Sequence, residues 1–211
     1  MDIETRMMNL YEEKVLPHLI NCACGSKQVM KLRSEIVPQC RGQVLEIGMG
    51  SGLNLEFYQA KQVEFVWGLE PSTGMRQKAQ SKLRKSPVEV KWLDLPGEAI
   101  PLEDNSVDTV LLTFTLCTIP DPQTALAQMR RVLKPGGKLL FCEHGLSDSR
   151  KIKKWQHRVN PVWTKLAGGC NLNREIDQLI ADAGFNIDTL REFYVPKTPK
   201  VAGFIYMGSA G

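Results

Sequence analysis

Three glycines on alternate positions follow an apolar run that ends in an acid, in the stretch Val44-Leu45-Glu46-Ile47-Gly48-Met49-Gly50-Ser51-Gly52. Glycine is needed where a backbone must take a positive φ or where a ligand must come close to it. A dinucleotide fingerprint would carry its third glycine at position 53, which is Leu here, and the lysine–serine pair of an ATP-binding loop is absent. The carboxylate of Glu46 would repel a pyrophosphate and suits a cationic group such as an amino-acid ammonium. Further along, "GLEPS" places Glu70 where an acid can take both hydroxyls of a ribose in charge-assisted hydrogen bonds. The glycines alone also fit an ordinary strand–helix corner, and Glu70 alone a helix N-terminal acid. Taken together, they favour a nucleoside that carries an amino acid and no phosphates.

A second set of reactive types follows later apolar runs. Cys117 and Thr118 come after "VLLTFT", and Glu143-His144 ends "KLLFCEH". His144 is one of three histidines, and its ordinary pKa near 6.5 suits a proton acceptor at neutral pH. It equally suits a histidine that closes a strand or bonds Glu143, and Cys117 equally suits a small buried filler. The six cysteines include a CxC at Cys22 and Cys24, but no paired CxxC. The N-terminus is polar and acidic, unlike a secretory leader. All six therefore read as reduced thiols in a cytoplasmic protein, with no metal expected.

Composition is that of a soluble globular chain, with 43% hydrophobic and 24% charged residues, and the net charge of +4 does not by itself call for nucleic acid. No apolar run approaches the roughly 18 to 20 residues of a membrane span. Residues 6–36 read as helical, with Pro17 as a break. The rest alternates: strands at 43–48, 64–70, 88–93, 106–115 and 136–144, and helices at 52–60, 72–85, 122–134 and 174–184, the last capped by Asn173. This alternation predicts βαβ units and a parallel sheet covered on both faces, with ligands beyond the carboxyl ends of the strands.

The segments "VLEIGMGSG", "GLEPS", "DNSVDTVLLTFTLCTIPDP" and "MRRVLKPGGKLLFCEH" together resemble the class I S-adenosylmethionine-dependent methyltransferases over about residues 40–145, in particular the ubiquinone/menaquinone-biosynthesis type. "YEEKVLPHLINCAC" and "NPVWTKLAGGCNLNREI" look like small bacterial relatives of the methyltransferase-like alkyl thiol methyltransferases. The resemblance implies an α/β, Rossmann-like fold with a mostly parallel seven-stranded sheet, helices on both faces and an N-terminal helical lid. It implies one domain over 1–211, made of a helical cap (1–38), a cofactor core (39–145), a lid insertion (146–174) and a C-terminal helix with strands (175–211).

The cofactor implied is S-adenosyl-L-methionine, leaving S-adenosyl-L-homocysteine. Gly48, Gly50, Gly52 and Asn54 would lie near its methionine portion, with Glu46 towards the ammonium. Glu70 would hold the ribose, and Pro71, Ser72 and Met75 would flank ribose and adenine. Pro96 stands where an acid is usual, so Gly97 and Glu98 are expected at the adenine. Thr115 and Leu116 would touch the cofactor. Cys117 and His144 are the catalytic candidates, and Tyr11, Thr118, Trp155, Trp163, Cys170 and Asn171 the expected acceptor contacts.

Within 146–174, Ile152, Trp155 and Val159 share a helical face amid basic residues. That pattern fits a solvated surface helix, a substrate lid, or weak contact with a membrane surface through 150–166. The expected reaction is methyl transfer to a small, largely apolar acceptor, with a thiol favoured. The alternatives are a phospholipid or other amine or hydroxyl acceptor, or a protein that binds the cofactor without turnover. Leu53 and Glu46 argue against a nicotinamide-dependent oxidoreductase, and no RNA-binding module or aromatic-rich basic stripe is present.

Overall fold

A computed structural model describes residues 21–211. Tyr11 and Pro17 therefore lie outside the described residues, and of the expected N-terminal cap the structure describes residues 21–38, with helix α1 at Lys27–Ile36.

Seven strands form one sheet. They are β1 (Gly42–Ile47), β2 (Val63–Leu69), β3 (Glu89–Leu93), β4 (Val107–Thr113), β5 (Leu133–His144), β6 (Ile187–Tyr194) and β7 (Phe204–Ala210), in the order β3-β2-β1-β4-β5-β7-β6. The first five pair in parallel, and β7 runs antiparallel to both β5 and β6. The helices are α2 (Thr73–Leu83), α3 (Pro122–Val132), α4 (Arg150–Leu166) and α5 (Ile176–Asp182).

The central strands are apolar throughout because the pleat sends successive residues to opposite, covered faces. Leu45 and Ile47 of β1, Val110 and Leu112 of β4, and Leu139 and Phe141 of β5 join one core with α3 and α5. Val44, Leu111, Leu140 and Cys142 point the other way, into a core shared with Leu32 and Ile36 of α1. Strand order reverses between β1 and β4, which opens the crevice where ligands bind in such sheets.

Three sequence expectations are corrected. No α-helix spans 52–60; the chain makes tight turns and a 3-10 turn at Leu55–Phe57. Gly52 takes φ +71°, and the Asn54 and Tyr58 side chains turn inward to bond Glu46, which holds the segment in an irregular path. Strand β5 begins at Leu133 rather than 136, because Leu133 pairs with Val107 and the strand runs on through Pro135-Gly-Gly with a shift of register. Helix α5 starts at Ile176 without a side-chain cap, and Asn173 instead lies 3.0 Å from His157 Nδ1.

Candidate active site

A cavity of about 370 Å³ opens beyond the carboxyl ends of β1, β2 and β4. Its floor is the glycine loop. Gly48 has φ +65°, and a Cβ there would lie 2.4 Å from Thr115 Cγ2. A side chain at 48 is thus excluded twice, by conformation and by the neighbouring loop. Gly50 donates its N–H to Glu70 Oε2 at 2.9 Å, and Ser72 donates to Oε1 at 2.8 Å. Glu70 therefore ties the glycine loop to the start of α2, where Ser72 Oγ caps Met75 N–H at 3.3 Å. Burial raises the Glu70 carboxyl above its ordinary range, while the two backbone donors act in the opposite sense.

Gly48, Gly50, Glu70, Pro71, Ser72, Met75, Gly97, Glu98, Thr115 and Thr118 all line the cavity, as does Pro96. Glu46, Gly52, Asn54 and Leu116 do not line it. Leu116 is fully buried in the core beside α3. Glu46 lies 1% exposed behind the glycine loop, with Oε1 accepting from Asn54 Nδ2 at 2.8 Å and Oε2 from Tyr58 OH at 2.6 Å. Burial pushes its carboxyl up to about 7, against the pull of those hydrogen bonds and of Arg33.

Arg33 is the residue that sequence reasoning missed. It stands on α1 between the buried Leu32 and Ile36, and its own exposure is 5%. A charged side chain on the apolar face of that helix was the available signal. Nη1 donates to Asn54 Oδ1 and Thr113 Oγ1, both at 2.8 Å, and the guanidinium sits 5.3 Å from the centre of the Phe114 ring. Arg33 also lines the cavity, and its Nε is buried without a partner among the described residues. Phe114 itself holds φ +56° at the end of β4, a strained conformation at the cavity wall.

At the other end, Glu143 is fully buried and accepts Thr115 N–H at 2.8 Å, with Leu116 and Cys117 N–H also contributing. It thus holds the loop after β4 by its backbone, and burial pushes its carboxyl up to about 7. The loop after α4 folds back onto the same segment. Asn171 donates its N–H (2.8 Å) and Nδ2 (3.1 Å) to the Cys117 carbonyl. This brings Cys170 Sγ to 3.2 Å from His144 Nε2 and 3.8 Å from Cys117 Sγ. Burial opposes charge on His144, but Cys170 and Glu143 outweigh it and raise the imidazole pKa.

Helix α4 is anchored through the fully buried Gln156, which accepts Ser147 N–H and donates to the Gly145 and Val201 carbonyls. Neither Trp155, 48% exposed, nor Trp163 lines the cavity; Trp163 turns its indole N–H to Cys170 Sγ at 3.4 Å. No described helix is long and apolar enough to cross a membrane.

The donors around the cavity fit S-adenosylmethionine on chemical grounds. A glycine cradle that a Cβ would fill and a carboxylate at the end of β2 suit its amino acid and ribose, and Arg33, whose Nε has no hydrogen-bond partner among the described residues, lines the same cavity. The chain has the Rossmann-like methyltransferase fold and belongs to the class I S-adenosylmethionine-dependent methyltransferases. Residues 45–141 match the family described as "Methyltransferase domain". Human thiol S-methyltransferase TMT1B is 33% identical over 68% of this chain and 59% of its own length. Human thiol S-methyltransferase TMT1A is 30% identical over 75% of this chain and 66% of its own. The chain thus spans about three-fifths to two-thirds of these curated relatives. A solved SAM-dependent methyltransferase from Methanosarcina mazei superposes with TM-score 0.64 at 22% identity, covering 80% of this chain and 91% of that one, and so shares the fold.

Proposed function

We propose that this protein transfers a methyl group from S-adenosylmethionine to a small, largely apolar thiol. The cavity carries the reading: its glycine loop, Glu70 and Arg33 suit an amino-acid-bearing nucleoside, and its lining adds the apolar Phe114, Ile119 and Pro120 and the hydroxyl-bearing Thr115 and Thr118. Names of the relatives at about 30% identity add weight to a thiol acceptor.

When bound, the cofactor supplies an activated methyl on a sulfonium, so the chain needs chiefly to align a nucleophile and exclude water. Glu70 would hold the ribose hydroxyls, Arg33 Nε the carboxylate, and Glu46 would act from behind the loop by fixing Asn54 and Tyr58. Pro71, Ser72 and Met75 would border ribose and adenine, and Gly97 and Glu98 the adenine edge. Thr115 would touch the cofactor and Thr118 would border the acceptor. A thiol with pKa near 8.5 is already partly ionised at neutral pH, so little proton removal is asked of His144.

Calorimetry with S-adenosylmethionine and with NAD tests the donor. Tight binding of NAD alone would sink the reading. Incubation with labelled donor and a panel of thiols, amines and phospholipids tests the acceptor. Transfer confined to phospholipid would favour the phospholipid alternative, and no transfer at all a non-catalytic binding protein.

A further inference from the structure

Beside the cavity, three side chains with metal-binding donor atoms converge from distant parts of the chain. Cys117 follows β4, His144 ends β5, and Cys170 lies in the loop after α4; their donor atoms all fall within 4.8 Å of one another. Cys170 Sγ is 3.8 Å from Cys117 Sγ and 3.2 Å from His144 Nε2. Zinc binds sulfur at about 2.3 Å and nitrogen at about 2.0 Å, so neighbouring corners of its tetrahedron lie roughly 3.5–3.8 Å apart. The three donors thus stand near three corners of one coordination sphere.

The surroundings are those of a built site. Asn171 clamps the Cys170 loop to the Cys117 carbonyl by two hydrogen bonds, and Asn160 Oδ1 holds Leu172 N–H at 2.8 Å from α4. The Trp163 indole N–H donates to Cys170 Sγ at 3.4 Å, as outer-shell donors do to metal thiolates. The Arg174 guanidinium bonds the Leu116 carbonyl, next to Cys117, and so fixes the loop that carries that cysteine. A histidine that merely closed its strand would spend a ring nitrogen on the backbone. Here Nε2 faces the sulfur, and Nδ1 is buried with no partner among the described residues. Finally, Thr118, which lines the cavity, has its hydroxyl 3.5 Å from Cys117 Sγ, so the cluster abuts the acceptor end.

We propose that Cys117, His144 and Cys170 bind a zinc-class divalent ion through two sulfurs and one imidazole, leaving a fourth position for the acceptor thiolate. This rests on the thiol-methyltransferase reading above. Three protein ligands with one open position is the arrangement of catalytic rather than structural zinc. A thiol entering that position releases its proton to solvent as the sulfur–metal bond forms. Another lone pair of that sulfur then forms the new S–CH3 bond while the donor's C–S bond breaks, its electron pair remaining on the donor sulfur. The product thioether is neutral and a weaker ligand than a thiolate, so it leaves.

The test uses the full chain purified without thiol reductant. Elemental analysis after zinc loading and dialysis should give one ion per chain, lost in Cys117→Ser, Cys170→Ser and His144→Ala. Cys22→Ala, at an exposed cysteine outside the cluster, should keep it. Loading with cobalt(II) should produce sulfur-to-metal charge-transfer absorption and intense tetrahedral visible bands, and 1-propanethiol should shift both. Trp163→Phe should weaken the ion about 10-fold. Circular dichroism and S-adenosylmethionine calorimetry on each variant show that the fold and the donor site persist.

Absence of bound metal in the parent chain, retention in Cys170→Ser, or recovery of a Cys117–Cys170 disulfide in place of the ion overturns the site. Metal binding with a cobalt spectrum indifferent to propanethiol overturns the acceptor role. Failure of the parent chain to bind S-adenosylmethionine instead overturns the methyltransferase reading, and metal stoichiometry reports separately from it.

Discussion

The two ends of the crevice are built in different ways. At the cofactor end the functional groups are largely backbone, and they lie close in sequence: Gly50 and Ser72 present N–H groups that Glu70 gathers, while the Gly48 N–H bonds the Leu69 carbonyl. At the acceptor end the groups are side chains from segments far apart, since His144, Cys117 and Cys170 meet only because the loop after α4 folds back on the loop after β4. The first end tolerates little change at a few positions. The second depends on many separate side-chain contacts between distant segments.

The largest expected effect sharpens that contrast. Gly48→Ala forces a Cβ into the Thr115 side chain at positive φ and should weaken S-adenosylmethionine binding at least about 100-fold, or about 3 kcal/mol, by calorimetry. Equal binding by this variant would break the claim that backbone geometry defines the donor end. Next, Glu70→Ala removes the carboxylate that bridges Gly50 and Ser72, with an expected loss of 10- to 100-fold in the same assay, about 1.5–3 kcal/mol for hydrogen bonds to a charged group.

The buried acid behind the loop gives a pH prediction. In the fold, burial lifts the Glu46 carboxyl from 4.5 to about 7. Between those values the native state holds a proton that the unfolded chain has released. Stability from this group is full below about pH 4.5 and is lost as pH rises through about 7, and Glu143 acts in the same direction and window. Glu46→Gln should flatten the decline between pH 5 and pH 8 in urea unfolding, by up to about 3 kcal/mol. An unchanged slope would mean that Glu46 is ionised in the fold, with Arg33 as its counter-charge.

The smallest effect belongs to the acceptor end. Gln156→Ala frees α4 from the Gly145 and Val201 carbonyls and leaves their backbone groups short of a donor. It should raise KM for the acceptor several-fold while S-adenosylmethionine affinity stays within about two-fold. A parallel loss of donor affinity would show that the two ends are not separable.

Much of the cofactor end was legible beforehand because its signals are local. Alternating glycines, an acid ahead of them and another acid at the end of the next strand are local features, and strands buried on both faces announce themselves as unbroken apolar runs. Some local expectations still erred. Leu116 follows an expected contact, Thr115, yet turns into the core, because adjacent residues in that loop face opposite ways. Glu46 lies behind the loop rather than in the cavity, since Asn54 and Tyr58 compete for its oxygens.

The chain's order of residues, by itself, determined the alternating strands and helices, the glycine loop and Glu70, because hydrophobic period and φ preference act over a few residues. Tertiary structure alone decided that Arg33 enters the donor site and that Cys117, His144 and Cys170 share one point. Those meetings join residues 21, 80 and 53 positions apart, as Arg33 bonds Asn54 and Thr113 and Cys170 reaches Cys117. Spacing along a chain carries no information about such distances until the sheet's strand order and the loop after α4 have brought the segments together.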